Sequence, residues 1–199
     1  VAGDHPIIME LPQPKGAVTA LALDALLENL YVGTADGQVV HVALSETESP
    51  EMRAAYTVAA SSTAVTTLGF LSGDRSLVVM SEDGAVSTWG LVRRADAPSG
   101  WTLIQIHTLR AHNAPVTAFA PSQRVKGFVT GDMKGNLFLH HATSSQTLLR
   151  LANSEFPIRA VAFAPKGDGL IALDGAGQLS LYQVQNAYPE VTLETLFAK

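Results

Sequence analysis

The chain has 199 residues, of which 47% are hydrophobic and only 16% charged, with a formal net charge of −5. That balance argues against a nucleic-acid surface, since no basic run occurs beyond Arg93-Arg94, and no stretch of ~18 apolar residues is present to span a membrane as a helix. The absence of cysteine excludes thiol catalysis, disulfides and thiolate metal sites, and a charge fraction below the usual ~25% predicts a surface that something else partly covers.

The first apolar stretch, Pro6 to Leu11, reads as a single strand ahead of a repeat. The repeat opens with Val-Thr-Ala at 18–20 and returns as Val-Thr-Thr (65–67), Val-Thr-Ala (116–118) and Ile-Arg-Ala (158–160). Nineteen residues after each opening aliphatic stands a glycine: Gly37, Gly84, Gly135 and Gly177. Two positions further on an apolar residue returns, at Val39, Val86, Leu137 and Leu179. Asp36-Gly37 and Asp83-Gly84 are preferred two-residue hairpin signals, because glycine tolerates positive φ and aspartate bonds its own backbone. Between anchor and glycine lies a second apolar run, such as Leu77-Val78-Val79 or Leu170 to Leu173. Runs at 52–58, 102–110 and 146–151 supply fourth, outer strands.

Successive anchors are 47, 51 and 42 residues apart, close to the ~40–45-residue period of four-stranded propeller blades. The expected fold is therefore all-β, a β-propeller of four four-stranded blade repeats over residues 1–185, with a linker over 186–199. The opening strand would complete the fourth blade, close a ring and remove its open edges. A longer propeller of which these repeats are one part, or a homodimer in which two four-blade chains close an eight-blade ring, also satisfies the pattern.

No catalytic, cofactor-binding or metal-binding constellation stands out. Ala-Pro-Lys-Gly-Asp-Gly (164–169) sits between strands, where it reverses the chain rather than cradling phosphate, and there is no Gly-x-Ser-x-Gly elbow. His140 and His141 are adjacent, so a strand sends them to opposite faces. His107 and His112 have no carboxylate nearby at ligand spacing, and His5 and His41 stand apart. Asp132 and Asn136 bracket Gly135, but the stretch lacks the carboxylate series of a calcium loop and reads as a hairpin. Arg93, Arg94 and Arg110 are the candidate anion contact. The inner strands bring threonines and Arg159 toward the channel but no carboxylate cluster, which sets a propeller enzyme last among the functional readings.

Ala-His-Asn-Ala-Pro-Val-Thr-Ala-Phe-Ala-Pro (111–121) followed by Gly-Asp-Met-Lys-Gly-Asn-Leu-Phe-Leu (131–139) resembles a WD40 repeat. His112 stands four residues before Val116, as the histidine of that family's Gly-His element does, and Trp89 takes the family's tryptophan position. That position holds Val42, His140 and Tyr182 in the other repeats, and the aspartate that should follow is replaced by Ala43, Gly90, His141 and Gln183. The resemblance therefore implies that the family's buried His–Asp hydrogen-bond network is mostly missing.

Asn-Ala-Tyr-Pro-Glu-Val-Thr-Leu-Glu-Thr-Leu-Phe-Ala-Lys (186–199) resembles the stretch that leads into the membrane core of enlarged PstC-type permeases of bacterial phosphate ABC transporters. Those permeases carry a WD40-like insert, which repeat four also resembles. This resemblance implies a non-catalytic domain on the periplasmic side of an inner-membrane permease, joined to the membrane only through flanking segments. Its expected partners are the phosphate-binding protein or other transporter subunits, and its role is interaction or regulation of phosphate import. A free-standing WD40-like interaction scaffold is the rival reading.

Overall fold

The computed structural model describes residues 13–183 apart from 45–51, 74, 98–99, 110–111, 125, 145 and 165–168. The expected opening strand at 6–11 and the linker at 186–199 lie outside the described residues. Inside them the chain is all strand, in the order the repeat dictates. The first sheet runs β1 (Val18–Leu23), β2 (Asn29–Thr34), β3 (Gln38–Leu44), β4 (Met52–Ala59). The second is β5 (Val65–Phe70), β6 (Ser76–Ser81), β7 (Val86–Arg93), β8 (Trp101–Leu109). The third is β9 (Val116–Pro121), β10 (Gly127–Asp132), β11 (Asn136–His141), β12 (Thr147–Asn153), and the fourth is β13 (Ile158–Phe163), β14 (Gly169–Asp174), β15 (Leu179–Gln183). All neighbours pair antiparallel as successive hairpins. Among the described residues, no helix is long and apolar enough to cross a membrane.

The inner strands line up side by side, β1 against β5, β5 against β9 and β9 against β13. The sheets therefore stand as consecutive blades, and apolar side chains fill the spaces between them. Tyr31, Val39, Val65, Leu77 and Trp89 pack between the first two sheets. Val78, Met80, Val116 and Phe128 pack between the next two, and Val129, Leu137, Ile158 and Leu170 between the last two. The anchors are what join one blade to the next. A methyl on Gly33 would lie 2.6 Å from Val65 Cγ1, and one on Gly131 only 2.4 Å from Ile158 Cγ2. Glycine at those strand positions makes room for the next blade's aliphatic.

The residue after each anchor sits at a break in register: between Val18 and Ala20, Val65 and Thr67, and Ile158 and Ala160, and opposite Gly131–Asp132 in the third sheet. A bulge re-aims a side chain at a strand end. Here it turns the Thr66 hydroxyl onto Met80 O (3.2 Å) and the Thr117 hydroxyl onto Ile158 O of the next blade (2.5 Å). Two of the threonines read from sequence as channel-lining are thus backbone fasteners.

Candidate functional site

Each of the four anchor-to-glycine spans ends in the same turn. Gly37, Gly84, Gly135 and Gly177 have φ of 79°, 84°, 77° and 82°. Each donates its amide to the residue three before it, at Thr34, Ser81, Asp132 and Asp174. This corrects the two-residue hairpin expected at Asp36-Gly37 and Asp83-Gly84. The loops have three residues, a turn followed by a left-handed glycine that forms a bulge.

One carboxylate holds each turn, from one of two places. In repeats one and two it comes from the residue before the glycine: Asp36 accepts from the Thr34 hydroxyl, and Asp83 from the Ser81 hydroxyl at 2.6 Å. In repeats three and four it comes from three residues before the glycine. Asp132 Oδ1 accepts from the Lys134 and Asn136 amides, both at 2.9 Å. Asp174 Oδ1 accepts from the Ala176 and Gln178 amides at 3.0 and 2.9 Å.

Moving the carboxylate to the strand end lets it reach into the next layer. Asp132 Oδ2 bonds His112 Nδ1 at 2.8 Å, and both side chains are fully buried. His112 Nε2 lies 2.6 Å from the Thr130 hydroxyl, which is 2.7 Å from His140 Nε2, and His140 Nδ1 is 3.1 Å from the Thr147 hydroxyl. Burial pushes His140 down to about 3. Burial also lowers His112, against the opposing pull of Asp132. Asp132 resists burial through bonds from His112 and Asn136, which hold its carboxyl below the usual range.

Neutral rings fix the proton order. His112 Nδ1–H donates to Asp132, Thr130 donates to His112, His140 Nε2–H donates to Thr130, and Thr147 donates to His140. The expectation of a mostly missing His–Asp network meets one exception. Repeat three has it whole, with His140 standing at the tryptophan position. The aspartate comes from the hairpin, not from the position after the tryptophan slot where His141 stands. Sequence reading missed Asp132 and Thr130 in this role, although Asp three before the turn glycine in repeats three and four was a visible signal. In repeat four Ser154, four before Ile158 as His112 is before Val116, donates to Asp174 Oδ2 at 2.6 Å.

The network is buried from His112 to His140 and reaches the surface at the exposed Thr147, so it ties the segment before β9 to the third sheet. Trp89 is likewise internal, its indole donating to Ser87 Oγ at 2.8 Å. Of the candidate anion contacts, Arg94 forms a two-point pair with Asp96, at 3.0 and 2.7 Å, on the exposed turn after β7. Arg93 is exposed at the end of β7, and Arg110 lies outside the described residues. Among the described residues, no group of three or more His, Asp or Glu is placed to hold a metal ion.

The sheets, their shared turn and the buried His–Asp pair define a WD40-like β-propeller. Solved propellers superpose on the chain accordingly. Sqt1 of Chaetomium thermophilum, bound to the N-terminus of the ribosomal protein L10, matches with TM-score 0.76 and 19% identity over 89% of this chain and 50% of that one. The propeller domain of Cps50 (Swd1) from Myceliophteria thermophila matches with TM-score 0.69 and 18% identity over 84% and 54%. The computationally designed Ika4 protein matches with TM-score 0.68 and 20% identity over 88% of this chain and 96% of that one. In sequence, telomerase protein component 1 of Rattus norvegicus is 31% identical over 111 residues, 56% of this chain. The chain spans 4% of that protein's length. No family model matches the chain.

Proposed function

We propose that this chain is a non-catalytic protein-interaction domain, and that it serves as the periplasmic domain of a PstC-type phosphate permease. The observation that supports the first part is the use of its polar groups. The best-formed polar cluster, from His112 through Asp132 and Thr130 to His140, is buried and spent on internal hydrogen bonds, and it reaches the surface only at the exposed Thr147. What remains for function is shaped surface on a rigid frame, which is what a binding propeller offers. Sqt1, which holds the N-terminus of another protein, is an instance of a similar propeller used that way. The second part rests on the similarity of residues 186–199 to the segment that enters the permease core. On this reading the partner is the phosphate-binding protein or another transporter subunit, and regulation of phosphate import is the consequence.

Mass spectrometry of the native gene product, recovered from fractionated source cells, tests the second part. Peptides of this domain from a much longer membrane protein support it, and capture of the phosphate-binding protein by the purified domain is the next expected result. A soluble product near 21.0 kDa removes the permease and leaves a free-standing interaction scaffold.

A further inference from the structure

The space between the first two sheets is not completely filled. At its mouth is a cleft of about 380 Å³ walled by Asp24 and Tyr31 of the first sheet and by Phe70, Arg75, Trp89 and Trp101 of the second. Protein interiors hold few voids larger than a water molecule, and pockets that take small groups begin at roughly 300 Å³. The cleft contains both tryptophans of the chain.

Its walls are held in place from behind. Tyr31 stacks on the buried His41 ring at 4.8 Å and meets the Phe70 ring edge-on at 5.6 Å. His41 Nε2 is in turn 2.8 Å from Asn29 Oδ1, and the Asn29 amide donates to Asp24 Oδ2 at 2.6 Å. Trp89 is pinned by Ser87. Trp101, 45% exposed, offers part of its ring to solvent at the rim.

Charge decides what such a cleft takes. Aromatic walls beside a carboxylate suit an organic cation, but the Asp24 oxygens already accept from the Glu28 and Asn29 amides and from the Asn29 side chain. Arg75, exposed beside them, has no ion-pair or hydrogen-bond partner for its guanidinium among the described residues. A guanidinium next to an aromatic slot selects a planar carboxylate attached to an apolar group. Tryptophan and arginine together are also the commonest anchors of protein interfaces.

We propose that the cleft between the first and second sheets binds an aromatic side chain of a partner protein, with a neighbouring carboxylate held by Arg75. This rests on the interaction reading and gives it a place on the molecule.

The two tryptophans provide the readout. Titration of the full chain with N-acetylphenylalanine, followed by tryptophan fluorescence, gives a saturable change. The neutral N-acetylphenylalanine amide binds roughly ten-fold more weakly, the loss expected for one charge-assisted hydrogen bond. Arg75→Ala, at an exposed position, shows the same loss with an unchanged melting temperature, and Arg75→Lys recovers part of it. Trp101→Ala abolishes the response. Equal binding of acid and amide, tighter binding of phenyltrimethylammonium, or no saturable change overturns the proposal. Capture of a partner protein by Arg75→Ala at full strength also overturns it, while leaving the interaction reading intact. Failure of the unmodified domain to capture any transporter component or other partner removes that reading instead.

Discussion

Buried histidines make this propeller sensitive to mild acid. His41 is pushed down to about 4 and His140 to about 3, in both cases by burial first, and His112 is lowered as well. A histidine whose folded pKa lies below its unfolded value of ~6.5 binds its proton only on unfolding in between, so stability falls as pH drops from ~6.5 toward 4. At pH 5 His41 and His140 each cost about 2 kcal/mol. Thermal melts should therefore lose on the order of 10 °C between pH 7.5 and pH 5, before the lowered carboxylates of Asp83, Asp132 and Asp174 protonate. A flat melting temperature across that range would refute the burial of neutral rings. Asp132 gives a second prediction at this scale. Asp132→Ala strands His112 and three other donors, a loss of about 3–5 kcal/mol by denaturant unfolding. Asp83→Ala releases the Ser81 and Thr63 hydroxyls and the Ala85 amide at an exposed turn, worth about 1 kcal/mol. Equal losses would show that the buried network contributes nothing special. His112 was legible in sequence from its distance to Val116. Its partner was not, because Asp132 reads equally well as a simple turn residue and only the fold brings it 20 positions back to the ring.

The glycine turn is the element that carries the repeat, and its four copies are not equally constrained. All four glycines need positive φ, but their surroundings differ. A methyl on Gly135 would lie 2.1 Å from Ser154 O, because the chain entering the next blade crosses directly over it and Ser154 N bonds Gly135 O at 2.9 Å. The same crossing covers Gly37, where Ser61 O would be 2.2 Å away. Gly177 has nothing within 4 Å. Gly177→Ala should cost only the left-handed penalty, roughly 1–2 kcal/mol. Gly135→Ala adds a backbone clash and should lose at least about 3 kcal/mol; unfolding curves that coincide would contradict the crossing. The spacing of anchors and glycines places the three inner strands of each repeat, and separate apolar runs place β4, β8 and β12, since apolar patterning and turn chemistry are both local. The bulge after each anchor was not legible, and neither was the cleft. Trp101 and Arg75 are far from Tyr31 in sequence, and a void left by packing has no pattern of its own.

At the scale of the whole molecule, the anchors tell inner blades from outer ones. Val65, Val116 and Ile158 are 0%, 2% and 3% exposed, each seated against the sheet before it, whereas Val18 is 52% exposed. On β1 the small Ala20 and Ala22 pack toward the second sheet, while Leu21 and Leu23 are 62% and 45% exposed. The fourth sheet mirrors this: Leu170, Ala172 and Tyr182 pack toward the third, and Leu179 and Leu181 are left 66% and 73% exposed. Single exposed leucines are ordinary, but matched apolar stripes on the two terminal sheets are what a blade presents to another blade. A second copy can offer the fourth sheet to the first and the first to the fourth, which closes a ring without leaving either stripe in water. Light scattering of the purified chain should accordingly show concentration-dependent dimer, and Leu21→Glu with Leu181→Glu should return it to monomer while leaving the melting temperature within about 2 °C. Both positions are mostly exposed, at 62% and 73%, so the charges should cost the fold little. A strict monomer at high concentration would reject self-association, and the stripes would then be seats for blades that a longer polypeptide supplies.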